Sequence, residues 1–114
     1  MNGNMPWFPF FAADWLLSRS RKRMSLEARG LYADMLAHQW EGGPLPTEPD
    51  ELAALLEVDV MVVHRAWPQL SPCFERCADG IVNVKLEDLR DAQARKHARM
   101  VEAGKRGAKT RRHR

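Results

Sequence analysis

Pro49-Asp50-Glu51-Leu52-Ala53-Ala54-Leu55-Leu56-Glu57-Val58-Asp59-Val60-Met61-Val62-Val63-His64-Arg65-Ala66-Trp67-Pro68 is the stretch that decides the fold. Two apolar stripes at helical spacing, Leu52-Leu55-Leu56 and Val60-Val63-Trp67, flank a three-residue break at Glu57-Val58-Asp59. The pattern fits a helix-turn-helix, with small Ala53 packing in the first helix and β-branched Val63 anchoring the second. Glu57 stands where glycine commonly makes the turn. The first helix is expected over Glu48 to Glu57, capped by Thr47, with Pro49 tolerated in its first turn. The second is expected over Val60 to Trp67, capped by Asp59 and ended or kinked by Pro68.

Working towards the N-terminus, Ser25 is an N-cap for a helix from Leu26 to Trp40, with Glu27 in the first turn. Ala28, Leu31, Tyr32, Met35, Leu36 and Trp40 form its apolar stripe. Gly30, Ala33 and Ala37 form a small-residue stripe that would let a neighbour approach closely. Gly42-Gly43-Pro44 ends the helix. Upstream, Asp14 can cap a short helix through Trp15, Leu16 and Leu17, and the basic cluster Arg19 to Arg23 is expected in a loop. Pro6-Trp7-Phe8-Pro9-Phe10-Phe11 is too apolar for a free terminus, and its prolines favour an extended strap lying over the core.

Towards the C-terminus, strands are expected at Cys73 to Arg76 and Ile81 to Lys85, joined through Ala78-Asp79-Gly80. The last helix, Leu86 to Ala103, starts acidic and turns basic, which suits its macrodipole, and Asp91 can pair with Arg95. Its distal half has few large apolar residues and is expected to project. The fold class is therefore mainly α with a small β-hairpin, a single winged helix-turn-helix-like domain with a basic C-terminal helix and tail. Residues 1–103 form the domain and residues 104–114 a flexible basic tail.

At 114 residues, 45% hydrophobic and 29% charged, the chain has the composition of one small soluble domain. The longest uncharged run, Met1 to Ala13, is too short and proline-broken for a membrane span. Two cysteines are too few for a disulfide scaffold, which points to the cytoplasm. The net charge of +3 hides a partition. Residues 1–25 carry four bases and one acid, residues 26–94 five bases and thirteen acids, and residues 95–114 nine bases and one acid. An acidic body thus bears a strongly basic tail, the pattern of a segment that binds polyanions by counterion release.

The candidate nucleic-acid-binding residues follow from that charge and from the second helix of the helix-turn-helix. They are Arg19, Arg21, Lys22 and Arg23; His64 and Arg65; and Lys105, Arg106, Lys109, Arg111, Arg112 and Arg114. Met61, His64 and Arg65 face outward from the would-be recognition helix, with Gln69 beyond the proline. Arg65 is its one permanent charge and could pair with guanine or phosphate. Asp59 and Glu57 nearby would repel phosphate. Gly104-Lys105-Arg106-Gly107 lacks the strand, glycine spacing and Ser/Thr of a phosphate-binding loop. Cys73 and Cys77 lack a second tight ligand pair for zinc, and no local catalytic signature is present. The reading is a protein without enzymatic activity, cofactor or metal, whose partner is DNA and, alternatively, a replication or transcription protein.

Pro6-Trp7-Phe8-Pro9-Phe10-Phe11, Asp14-Trp15-Leu16 and Ser25-Leu26-Glu27-Ala28-Arg29-Gly30-Leu31-Tyr32 together resemble the YdaU-like family of phage and prophage proteins. The likeness continues through Leu36, Trp40, Gly43-Pro44-Leu45-Pro46 and Leu52 to Leu56, and the stretch Ala103 to Gly107 resembles the family's usual exit from the domain. Arg19 to Arg23, where a Thr is more usual, and Glu57 depart from the pattern. The resemblance implies a winged-helix-like domain, similar to the N-terminal domains of replication initiators and often encoded beside phage replication genes. It implies no catalytic residue. The resulting expectation is a phage-derived DNA-binding accessory or initiation protein of DNA replication. The alternatives are a protein-interaction module docking a replication or transcription protein, or a transcription regulator.

Overall fold

The computed structural model describes residues 11–112, with side chains as far as Lys105. Its elements are α1 (Ala12–Leu17), α2 (Arg19–Arg23), α3 (Leu26–Gly42), α4 (Pro49–Leu56), α5 (Val60–Leu70), β1 (Glu75–Cys77), β2 (Gly80–Val82) and α6 (Val84–Arg112), with a 3-10 turn at Ser71–Cys73. This is the winged-helix-like arrangement, mainly helical with one small hairpin. The expected strap Pro6 to Phe10 lies outside the described residues.

The helix-turn-helix forms around the two residues assigned to pack it. Ala53 is 3% and Val63 2% exposed, and both belong to one core with Leu31, Met35, Leu52, Leu56, Ala66 and Leu70. Burying each large aliphatic side chain here contributes roughly 1.5–3 kcal/mol. Glu57 makes the turn in the left-handed region, at φ 59° and ψ 42°, so the backbone geometry that glycine usually supplies is imposed on a glutamate. Asp59 caps α5 as expected, its Oδ1 accepting from the Met61 N–H at 2.8 Å. Ser25 likewise caps α3, its Oγ accepting from the Ala28 N–H at 3.1 Å.

Several boundaries correct the sequence reading. The basic cluster Arg19 to Arg23 is helix α2 rather than a loop, because the Ser18 hydroxyl accepts from the Arg21 N–H at 3.3 Å and caps it. Phe11, not Asp14, is the N-cap of α1, which leaves Asp14 in the first turn. Glu48 rather than Thr47 precedes α4, and Pro49 takes the first helical position, where its missing N–H costs nothing. Helix α5 passes through Pro68 to Leu70. Both Pro68 and His64, whose carbonyl loses its helical donor, are exposed, so the lost hydrogen bond falls on the solvent side. Gly30, Ala33 and Ala37 are all exposed, and among the described residues nothing lies within 4 Å of where a Gly30 Cβ would sit, so none of them is a close-packed neighbour that accounts for this glycine.

Antiparallel β1 and β2 pair Glu75 with Val82, Arg76 with Ile81 and Cys77 with Gly80, leaving Ala78 and Asp79 as the turn. Both strands are shorter than expected, since Cys73 lies in the 3-10 turn and the chain after Val82 turns into α6. Leu45 joins the other side of Ile81 through two backbone hydrogen bonds of 2.9 Å, which ties the α3–α4 connection to the hairpin. Gly80, at φ 144°, is required there: a Cβ would collide with the Leu45 carbonyl oxygen.

Helix α6 begins two residues earlier than expected and continues nine residues past Ala103, so residues 104–112 extend the helix instead of leaving it. Asn83 sets the start, its Oδ1 accepting from the Leu86 N–H at 2.9 Å. Leu86 is 6% exposed and Leu89 half-buried, whereas from Asp91 to Lys105 all residues are exposed except Gln93 and His97, which are half-buried. The distal part projects from the body, as expected. Among the described residues no helix is long and apolar enough to cross a membrane.

Candidate nucleic-acid interface

The root of α6 is held by a polar cluster centred on Asn83 and Gln39. Gln39 is fully buried, and its side-chain amide pairs with the Asn83 backbone: Oε1 accepts from the Asn83 N–H at 2.8 Å and Nε2 donates to the Asn83 carbonyl at 3.0 Å. The Gln39 Nε2 also donates to Glu87 Oε2 at 3.0 Å. The Asn83 Nδ2 donates to the Tyr32 hydroxyl at 3.2 Å and to the Cys73 carbonyl at 2.9 Å. Arg90 completes the cluster, its Nε donating to the Trp40 carbonyl and its Nη1 to Glu87, both at 3.2 Å. This Glu87–Arg90 ion pair forms at the base of α6 in place of the expected Asp91–Arg95 pair. Burial pushes the Tyr32 hydroxyl up to about 12, with the neighbouring Cys73 thiol adding to the shift and the Asn83 hydrogen bond opposing it.

From this anchored root α6 carries Arg95, Lys96, Arg99 and Lys105 into solvent, all exposed. Arg106, Lys109, Arg111 and Arg112 continue on the same helical backbone, and Arg114 lies outside the described residues. At 1.5 Å per residue the helix from Arg95 to Arg112 is about 27 Å long. That matches about eight successive phosphates of one DNA strand.

Helix α2 lies beside this root, since Ser18 and Ser20 line the same cleft as Lys85, Asp88 and Leu89. Arg19, Lys22 and Arg23 are exposed. Arg21 instead turns inward: its Nη2 donates to the Leu16 carbonyl at 3.1 Å and its guanidinium lies 5.8 Å from the centroid of the Trp15 ring. It is thus packed against its own helix pair and is not presented to a ligand as the other three are.

Helix α5 presents a different surface from the one expected of a base-reading helix. Met61 is 62% exposed and His64 is exposed. Arg65, however, is engaged by Glu27 at the start of α3, through Nε to Oε1 at 2.8 Å and Nη2 to Oε2 at 2.9 Å. The pair holds the Glu27 carboxyl below its usual range and raises the Arg65 guanidinium, in each case mainly through the hydrogen bonds between them. Gln69 is used as well, its Oε1 accepting from the Ser25 N–H at 2.6 Å. The hairpin is charge-balanced, with Arg76 and Lys85 exposed beside exposed Glu75 and Asp79.

Sequence reasoning missed the Gln39–Asn83 cluster and the Glu27–Arg65 pair, whose members are 44 and 38 residues apart. The one available signal was Gln39 lying next to Trp40 on the buried side of an amphipathic helix. Cys73 is half-buried and Cys77 exposed, both with free thiols. Among the described residues no three His, Cys, Asp or Glu side chains are grouped to hold a metal. No family model matches the chain, and neither a curated protein nor a solved structure matches it.

Proposed function

We propose that the protein is a DNA-binding accessory or initiation protein of phage or prophage DNA replication, acting in the cytoplasm, with α6 as its principal contact to the phosphate backbone. The observation that carries this reading is charge segregation along the fold. Nine bases and one acid fall in residues 95–114, eight of those bases on a helix that leaves a body with thirteen acids and five bases over residues 26–94. A body of that sign is repelled by DNA, so the projecting helix holds its bases away from it. Binding through phosphates is strong at low salt, largely indifferent to sequence, and weakened as salt competes. Exposed Arg19, Lys22 and Arg23 on the adjacent α2 add to the same field. Arg65 contributes little while the Glu27 carboxylate pairs with the Nε–Nη2 edge of its guanidinium and offsets its charge. The likeness to the YdaU-like family supports placing the activity in replication.

Fluorescence anisotropy with labelled single- and double-stranded DNA over a salt series tests this reading. Tight binding that falls steeply with salt is expected, with a residual preference for duplex. Absence of binding at low salt would remove it.

The surface of α5 favours a second reading, that of a protein-interaction module docking a replication or transcription protein. Its outward face offers exposed Met61 and His64 around a self-satisfied ion pair. On this reading, substitution of Met61 abolishes capture of the partner and leaves DNA affinity unchanged.

A further inference from the structure

We propose that the cleft between α1–α2 and the root of α6 is the seat of the chain's own aromatic segment, Pro6-Trp7-Phe8-Pro9-Phe10. The cleft has a volume of about 590 Å³, and Phe11, Trp15, Tyr32, Leu36, Leu86 and Leu89 make its apolar walls. That is ample for more than one aromatic side chain.

Continuity comes first. Phe11 lies on the wall and is 57% exposed, so the segment is bonded to the cleft's own rim. Five extended residues reach at most about 17 Å, enough to run along the groove. Covalent attachment also makes entry intramolecular, at an effective concentration in the millimolar range.

The chemistry agrees. Trp15 stacks on Tyr32 with centroids 5.8 Å apart and planes 15° apart, and Tyr32 meets Phe74 edge-on at 5.9 Å. This aromatic wall suits further rings in offset or edge contacts. The segment supplies Trp7, Phe8 and Phe10 with no charged side chain, and its two prolines hold it out of a helix. A polyanion is the wrong occupant, because Asp14 and Asp88 outnumber Lys85 along the same cleft.

Thiol reactivity in the full chain reads the occupancy, because Cys73 lines the cleft and exposed Cys77 is a control on the same molecule. With the segment seated, a water-soluble disulfide reagent modifies Cys73 about tenfold or more slowly than Cys77, since access requires local opening. Replacing Trp7, Phe8 and Phe10 together by Ser brings the Cys73 rate up towards that of Cys77, whose own rate is unchanged. Equal rates in the native chain, or protection that survives the substitutions, would overturn the proposal. A second measurement needs no variant: nuclear Overhauser contacts from Trp7 or Phe8 ring protons to the Leu36 and Leu89 methyls within one molecule. Their absence overturns it, and so do contacts found only between labelled and unlabelled copies, which would assign the cleft to a second copy.

Discussion

Arg65 and Glu27 meet as a two-point ion pair, at 2.8 and 2.9 Å, that joins the outward face of α5 to the first turn of α3. The guanidinium gives the carboxylate its Nε–Nη2 edge, one of the two edges through which an arginine can meet guanine or phosphate. The second helix of the helix-turn-helix therefore has its one permanent cation already paired along one edge, its charge offset by a carboxylate.

Glu27→Gln is expected to uncover that charge. Duplex affinity at low salt should rise, and the dependence of log affinity on log salt should steepen by about 0.9, one additional phosphate. A salt series on the variant checks this. Because the Glu27 carboxyl is held below its ordinary 4.5, the pair's contribution is complete above that value and is lost only as pH falls through the lower folded-state value.

Gln39→Leu keeps the volume and removes the amide that pairs with Asn83. The Asn83 N–H and the Glu87 carboxylate each lose a buried partner, so a loss of about 2–4 kcal/mol is expected in denaturant unfolding. The root of α6 should loosen with it, seen as faster amide exchange at Asn83, whose N–H loses its acceptor.

Glu57→Gly is expected to stabilise the protein. The left-handed conformation costs a non-glycine residue roughly 1–2 kcal/mol, against about 0.5–1 kcal/mol for the extra chain entropy glycine loses on folding. A net gain of about 0.5–1 kcal/mol should appear as a higher denaturant midpoint with an unchanged slope.

Tyr32 is the one tyrosine in the chain, so its titration is read directly from tyrosinate absorbance. The midpoint is expected near 12 rather than 10. A folded-state value above the unfolded one means that the unfolded chain releases its proton first. The associated stability is therefore full below pH 10 and declines as pH rises towards 12. Alkaline unfolding followed by circular dichroism should show that decline, and Tyr32→Phe should reduce it.

Local signals in the sequence carried most of the fold. Ser25 and Asp59 cap the helices they precede, Ala53 and Val63 pack where the helix-turn-helix spacing puts them, and Gly80 completes the hairpin. Boundaries shifted where one side chain recruited a neighbour: Ser18 made a helix of the basic cluster, and Asn83 began α6 two residues early. The candidate interface was legible in its charge and not in its availability. Nothing near Arg65 in sequence announces Glu27, and nothing near Arg21 announces that it folds back on Trp15. Such pairings depend on how helices cross, which periodicity does not encode.

The central claim is that α6, not α5, carries DNA contact. Its most direct test is the salt dependence of duplex binding by two full-length variants. One carries Gln at 105, 106, 109, 111, 112 and 114, and the other is Arg65→Ala. The first is expected to lose affinity for all sequences alike, with a log–log slope shallower by up to about 5. The second is expected to match the native chain. An unchanged slope in the six-fold variant, with a large loss in Arg65→Ala, would contradict the account.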